Sequence, residues 1–125
     1  GLDWPVDPDG LRDMLLNVTK RYGRRPLYVT ENGAAYDDVV APDGQVHDPE
    51  RAAYLRGHID AVHEAIEAGA DVRGYFAWTL LDNFEWARGY KARFGLAYTD
   101  YPTQRRIIKD SGRFYAEVAQ TNVLP

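Results

Sequence analysis

The sequence predicts an α/β fold built on parallel strands, and three observations carry that expectation. Residues 26–30 and 72–81 are short runs rich in apolar and β-branched side chains, nearly continuous as in strands covered on both faces. The segment between them has the periodicity of a helix. Strands joined through a helix pair in parallel by a crossover connection. Of the 125 residues, 45% are hydrophobic and 27% charged, which suits one modest packed core and argues against disorder.

The elements follow in order. Pro5, Asp7, Pro8, Asp9 and Gly10 read as an opening loop. From Leu11 apolar residues recur at Leu15, Val18 and Tyr22, predicting a helix with Gly23 as its C-terminal cap. Residues 26–30 form the first strand, and Glu31-Asn32-Gly33 stands at its C-terminal end. The stretch up to His47 is expected to be a loop with a small hairpin, residues 39–41 and 45–46 flanking a Pro42-Asp43-Gly44 turn. Asp48 as N-cap and Pro49 as first helical residue launch a helix to about Ala68. Its buried stripe is read as Leu55, Ile59, Val62 and Ile66, and Gly69 ends it. Residues 72–81 form the second strand, 82–93 a loop rich in aromatic and charged residues, and 94–100 an extended piece. Asp110 or Ser111 caps a last helix through Ala119. Two central strands would leave both sheet edges unpaired, so the chain is expected to be a piece of a larger fold.

Composition excludes several function classes. With no cysteine there is neither a disulfide framework nor a thiolate metal site, which suits a reducing, cytoplasmic setting. The net charge of −4 gives no reason to expect a nucleic-acid partner. Two basic clusters, Arg21, Arg24 and Arg25, then Arg105, Arg106 and Lys109, are read as solvated surface. No apolar run approaches the roughly 18–20 residues of a membrane span, and no signal-peptide pattern opens the chain. Because the first residue is Gly1 rather than Met, the native N-terminus is expected to lie upstream. His47, His58 and His63 lack a metal-ligand spacing, so no metal is expected, and no cofactor. Ser111, the only serine, stands at a helix cap and outside any nucleophile elbow.

Two places could carry chemistry. Glu31 lies where a strand ends and a loop begins, the position of active sites in parallel α/β folds. The plainer reading is a glutamate before an Asn-Gly turn, and position alone does not choose between them. After the second strand, Trp78 and the Glu85-Trp86 pair combine a carboxylate, which accepts hydrogen bonds from vicinal hydroxyls, with indole rings that cover the C–H face of a sugar. A buried tryptophan beside a surface glutamate explains these residues as well. Asp82 and Asn83 are read as organising the loop through side-chain-to-backbone bonds rather than as catalytic.

Taken together the two segments resemble one known family. Tyr28-Val29-Thr30-Glu31-Asn32-Gly33 is similar to the nucleophile motif of glycoside hydrolase family 1, the family of β-glucosidases. Residues 74–86, from Gly74-Tyr75-Phe76-Ala77-Trp78 to Asn83-Phe84-Glu85-Trp86, resemble its sugar-binding signature. Arg88-Gly89-Tyr90, Arg93-Phe94-Gly95-Leu96, Asp100-Tyr101 and Lys109-Asp110-Ser111 continue the likeness in order and at the family's spacing.

The resemblance implies that residues 1–125 are the C-terminal fragment, the last quarter, of a single (β/α)8 TIM-barrel catalytic domain. Residues 26–30 would be its seventh strand and 72–78 its eighth. It implies a retaining β-glucosidase in which Glu31 is the nucleophile and Trp78 lies under the sugar. Glu85 and Trp86 would hold the outer hydroxyls, and Phe94 would wall the pocket. A cis peptide after Trp78 is also implied. Glu85 would repel a phosphate, so an unphosphorylated glycone is expected, in a β-glucoside or short β-linked oligosaccharide. The acid/base of the family lies in an Asn-Glu-Pro motif, which this chain lacks. Activity is therefore expected to need the remainder of the barrel, on the same or a companion chain. The alternative is a non-catalytic sugar-binding or scaffold fragment.

Overall fold

A computed structural model describes residues 4–125 of the chain. Helix α1 spans Pro8–Tyr22, strand β1 Pro26–Asn32, helix α2 Pro49–Glu67 and strand β2 Asp71–Ala77. A 3-10 turn at Trp86–Arg88 precedes strands β3 (Ala97–Thr99) and β4 (Arg106–Ile108), and helix α3 (Asp110–Thr121) closes the chain.

As expected, β1 and β2 pair in parallel, from Pro26 opposite Asp71 to Asn32 opposite Ala77. The core lies between this pair and the helices: Leu15, Val62, Ala65 and Ala70 are buried, with Leu11, Leu27, Val29, Val72 and Tyr75 packed around them. Burial alternates along the first half of β1, because Tyr28 and Thr30 point to a face that the described residues leave exposed. Double coverage, expected from the apolar run, holds on one side only.

Helix α1 starts at Pro8, three residues before the expected Leu11. Asp7 accepts a hydrogen bond from the Gly10 amide at 3.0 Å, and Pro8 supplies the fixed φ of a first helical residue. The same Asp-Pro signature opens α2. That helix ends in a Schellman arrangement, with Ala70 N–H donating to Ala65 (2.9 Å), Gly69 N–H to Ile66 (2.9 Å), and Gly69 at a φ of 104°. Its buried face runs through Leu55, His58, Ala61, Val62 and Ala65, while Ile66 is exposed, so the expected stripe is rotated. Small alanines let α2 approach the strands. Ile59 and Ile66 instead line a groove of about 750 Å³ between α2, β2 and α3.

The expected hairpin around Asp43 does not form. The turn does: Gly44 N–H donates to Ala41 and Ala41 N–H to Gln45, both at 2.8 Å, but the flanks are too short to make a ladder. The second strand stops at Ala77 rather than at residue 81. Residues 79–82 leave it to bond residues 94–97, with Leu96 N–H to Thr79 and Ala97 N–H to Leu80 at 2.8 Å. The extended piece is realised as β3, which pairs antiparallel with an unexpected β4.

Candidate active site

Parallel pairing brings the C-terminal ends of β1 and β2 together. Glu31 is the penultimate residue of β1 and is exposed. Its neighbour Asn32 is held from two elements. The Asn32 side-chain oxygen accepts the Tyr75 hydroxyl at 2.6 Å, and its amide donates to the Tyr54 hydroxyl at 3.2 Å. Burial pushes both phenols above their ordinary pKa, so both stay protonated at neutral pH. The Asn32 carbonyl accepts the Trp78 amide at 2.8 Å. Next in the chain, Gly33 lies against Trp78 so closely that a Cβ built there would stand 1.8 Å from the Trp78 carbonyl oxygen. The Trp78–Thr79 peptide is cis, as the resemblance implied. The two segments singled out in the sequence, more than forty residues apart, thus meet backbone to backbone.

Beyond Trp78 the chain makes a loop that returns at Phe94, whose carbonyl accepts the Thr79 amide at 3.2 Å. Within the loop, Glu85 N–H donates to Gly89 at 2.7 Å and Arg88 N–H to Glu85 at 2.8 Å, which closes the 3-10 turn. Glu85 is half-buried and Trp86 is 82% exposed, its backbone at a φ of 40°. Among the described residues neither the Glu31 nor the Glu85 carboxylate has a hydrogen-bond partner. Trp78 is half-buried and Phe94 is 6% exposed. Tyr90 packs at 4.7 Å from Tyr101 and 5.5 Å from Phe84, stiffening the loop's outer turn.

Asp82 organises this loop, as expected. One carboxylate oxygen accepts the Gly95 amide at 2.9 Å, and the other accepts Arg93 at 2.6 Å and the Thr99 amide at 3.3 Å. Lys109 is a correction: it is not solvated but fully buried, donating to Asp82 at 2.8 Å and to Asp38 at 2.5 Å. A buried ammonium is tolerable only when paired in this way. Asp38 in turn takes a bidentate pair from Arg51, at 2.7 and 3.1 Å. Arg51 also donates to Asp48, to the Ala34 carbonyl at 3.2 Å and to the Arg93 carbonyl at 2.8 Å. Burial pulls the Arg51 guanidinium down, but Asp38 and Asp48 outweigh it and hold it above its ordinary value.

Sequence reasoning missed Asp38, Asp48 and Arg51 as members of the site's frame. The available signal was Asp48 and Arg51 at i and i+3 on the first turn of α2. Neither Asp110 nor Ser111 caps α3. Lys109 occupies the N-cap position without a side-chain bond, and the Ser111 amide is satisfied by Asp48 at 2.9 Å. Among the described residues no cluster of His, Cys, Asp or Glu could hold a metal ion, and no helix is long and apolar enough to cross a membrane. An open cleft of about 490 Å³ separates Ala35–Asp37 from the Ala87–Ala92 loop, at the same end of the sheet.

Comparison with known proteins agrees with this geometry. The chain is 52% identical over 123 residues to a 1,4-β-D-glucan glucohydrolase of Thermotoga neapolitana, covering 98% of this chain and 28% of the relative. It is 43% identical over 128 residues to a 6-phospho-β-galactosidase of Lacticaseibacillus rhamnosus, covering 98% of this chain and 27% of that protein. The solved family 1 β-glucosidase of Thermotoga maritima superimposes with a TM-score of 0.98 at 50% identity, over all of this chain and 28% of that one. The chain thus spans little more than a quarter of the length of these relatives. Family 1 glycosidases are TIM barrels, and this α/β piece matches part of one. The model of Glycosyl hydrolase family 1 matches residues 1–124, and the chain belongs to that family.

Proposed function

We propose that the chain is the nucleophile-bearing last quarter of a retaining β-glucosidase barrel, with β1 as the seventh strand and β2 as the eighth. The observation that carries this reading is the backbone meeting of the Glu31-Asn32-Gly33 segment with Trp78, at 2.8 Å through the Asn32 carbonyl, which joins the strand end bearing Glu31 to the start of the Trp78–Trp86 segment.

In this reading a terminal β-glucosyl residue lies over Trp78, its outer hydroxyls donating to Glu85 and packing on Trp86, with Phe94 closing the wall. A carboxylic acid from the remainder of the barrel, about 5–5.5 Å from Glu31, protonates the leaving oxygen. A Glu31 oxygen bonds to the anomeric carbon as the glycosidic C–O bond breaks. Water then cleaves the glycosyl ester, its proton going to the same acid, now a base, and Glu31 is released as carboxylate. The Glu85 carboxylate disfavours a phosphorylated glycone by like-charge repulsion, which separates this site from that of a phospho-glycosidase. Substrates are therefore β-glucosides and short β-linked oligosaccharides.

The test is an intact mass spectrum of the complete barrel after incubation with an activated 2-deoxy-2-fluoroglucoside, whose glycosyl-enzyme turns over very slowly. One sugar added per chain, mapped to Glu31, is the expected result. Glu31→Ala should take no label and lose turnover. A labelled or active Glu31→Ala enzyme would end the assignment, and binding without any label in the wild type would favour a sugar-binding piece.

A further inference from the structure

The buried charge network beneath the loops has a feature that charge balance alone does not require. Asp38, Asp48 and Asp82 face Arg51, Arg93 and Lys109, and of these side chains only Arg93 exceeds 2% exposure. Pairing would neutralise them in many geometries. Arg51, however, spends two of its donors on main-chain carbonyls rather than on acids. One is Ala34, three residues after Glu31, at 3.2 Å; the other is Arg93, immediately before Phe94, at 2.8 Å. Its guanidinium carbon also lies 5.2 Å from the centroid of the Tyr36 ring, and the Tyr36 backbone bridges back to Arg93.

Resting on the reading of Glu31 as nucleophile, we propose that Arg51 is a positioning residue for glycosyl transfer. It fixes the spacing between the loop that follows the nucleophile and the loop that carries the sugar-contacting residues. The guanidinium suits this task because it is planar and holds several donors in a fixed fork. A lysine there keeps the charge for Asp38 or Asp48 but cannot span both carbonyls. Both loops would then lose a common anchor, and small misplacements of reacting groups cost rate steeply.

The experiment uses the complete barrel and its Arg51→Lys variant, with active sites counted by the 2-deoxy-2-fluoroglucoside burst. The expected result is a rate of label uptake, and a kcat per counted site, reduced by about 10–100-fold. KM for an aryl glucoside should change by less than about threefold, since ground-state contacts persist. A role confined to stability would lower the melting temperature and the number of competent sites but leave the rate per site unchanged, and that outcome overturns the proposal. A charge-balanced Asp48→Asn/Arg51→Gln enzyme serves as the second variant if the first does not fold, with the same expected loss per site. Failure of both to fold would assign the network to stability and overturn the proposal as well. If the wild type itself takes no label, the reading of Glu31 falls; if it labels and a variant matches it per site, only the role of Arg51 falls.

Discussion

A methyl group at Gly33 would stand 1.8 Å from the Trp78 carbonyl oxygen and 2.9 Å from its carbonyl carbon. The contact is backbone on both sides, so no flexible side chain can give way. Gly33→Ala in the complete barrel should shift the urea midpoint by the equivalent of about 3 kcal/mol, the upper end of overpacking costs. An unchanged midpoint would show that the strand ends are less closely apposed. Gly95 is as confined, its Cβ direction blocked by the Asp82 amide at 2.3 Å. At this scale the place of Glu31 at the end of β1 was legible, because a short apolar run ends there. Lys109 was not. A charged residue in a sequence defaults to solvent, and the two acids that pair with this one, Asp82 and Asp38, are 27 and 71 residues away.

Among the elements, the helices and the two paired parallel strands were readable, and the short return strand β4 was not. Periodicity over fifteen or more residues identified α1 and α2. Three-residue β4 gave too little pattern, although Ile107 buried between exposed Arg106 and Ile108 is a period-two signature once its partner is known. The failed hairpin leaves a turn that is held instead by a charged clip. His47 bonds Asp110 on α3 at 2.6 Å and Asp43 on the turn at 2.9 Å, while Arg113 also holds Asp110 at 3.0 Å. Asp110, and after it Asp43, raise the imidazole above its ordinary 6.5. A raised pKa contributes stability that is fully present below the unfolded value and is lost as pH rises through the folded one. Asp43 is lowered, by the Gln45 amide and then His47, so its own contribution is lost as pH falls through its depressed pKa. Melting temperatures of wild type and His47→Gln should therefore differ most in the window between these two titrations and converge above the raised imidazole pKa. A difference that grows with pH would refute the clip.

As a whole molecule the chain carries a parallel pair, β1 and β2, whose outer edges no strand among the described residues covers, and an exposed aromatic face. Tyr28 and Phe76 are 56% and 55% exposed, and both crowd the Cβ direction of Gly74 between them. Open parallel edges beside apolar rings favour pairing with other chains. The isolated 125-residue chain is expected to sediment as self-associated species and to hydrolyse no aryl glucoside. Mixing it with the complementary three quarters of the barrel should give a one-to-one complex that regains turnover. A monodisperse, non-associating chain would show that the open edges are blunted in some other way. That the parallel pair would stand with open edges was legible from the strand count alone, whereas the internal frame was not, because it depends on which distant charges the fold brings together.

Asp48 occupies the N-cap position of α2, yet its carboxylate turns away to satisfy the Ser111 amide and hydroxyl at the start of α3, at 2.9 and 2.5 Å. The first turn of α3 is thus completed by a residue 63 positions earlier. The Ser111 amide therefore keeps its partner only while the start of α2 is docked. Native-state hydrogen exchange should show the Ser111 amide opening together with the amides of α2, and not with the fraying end of its own helix.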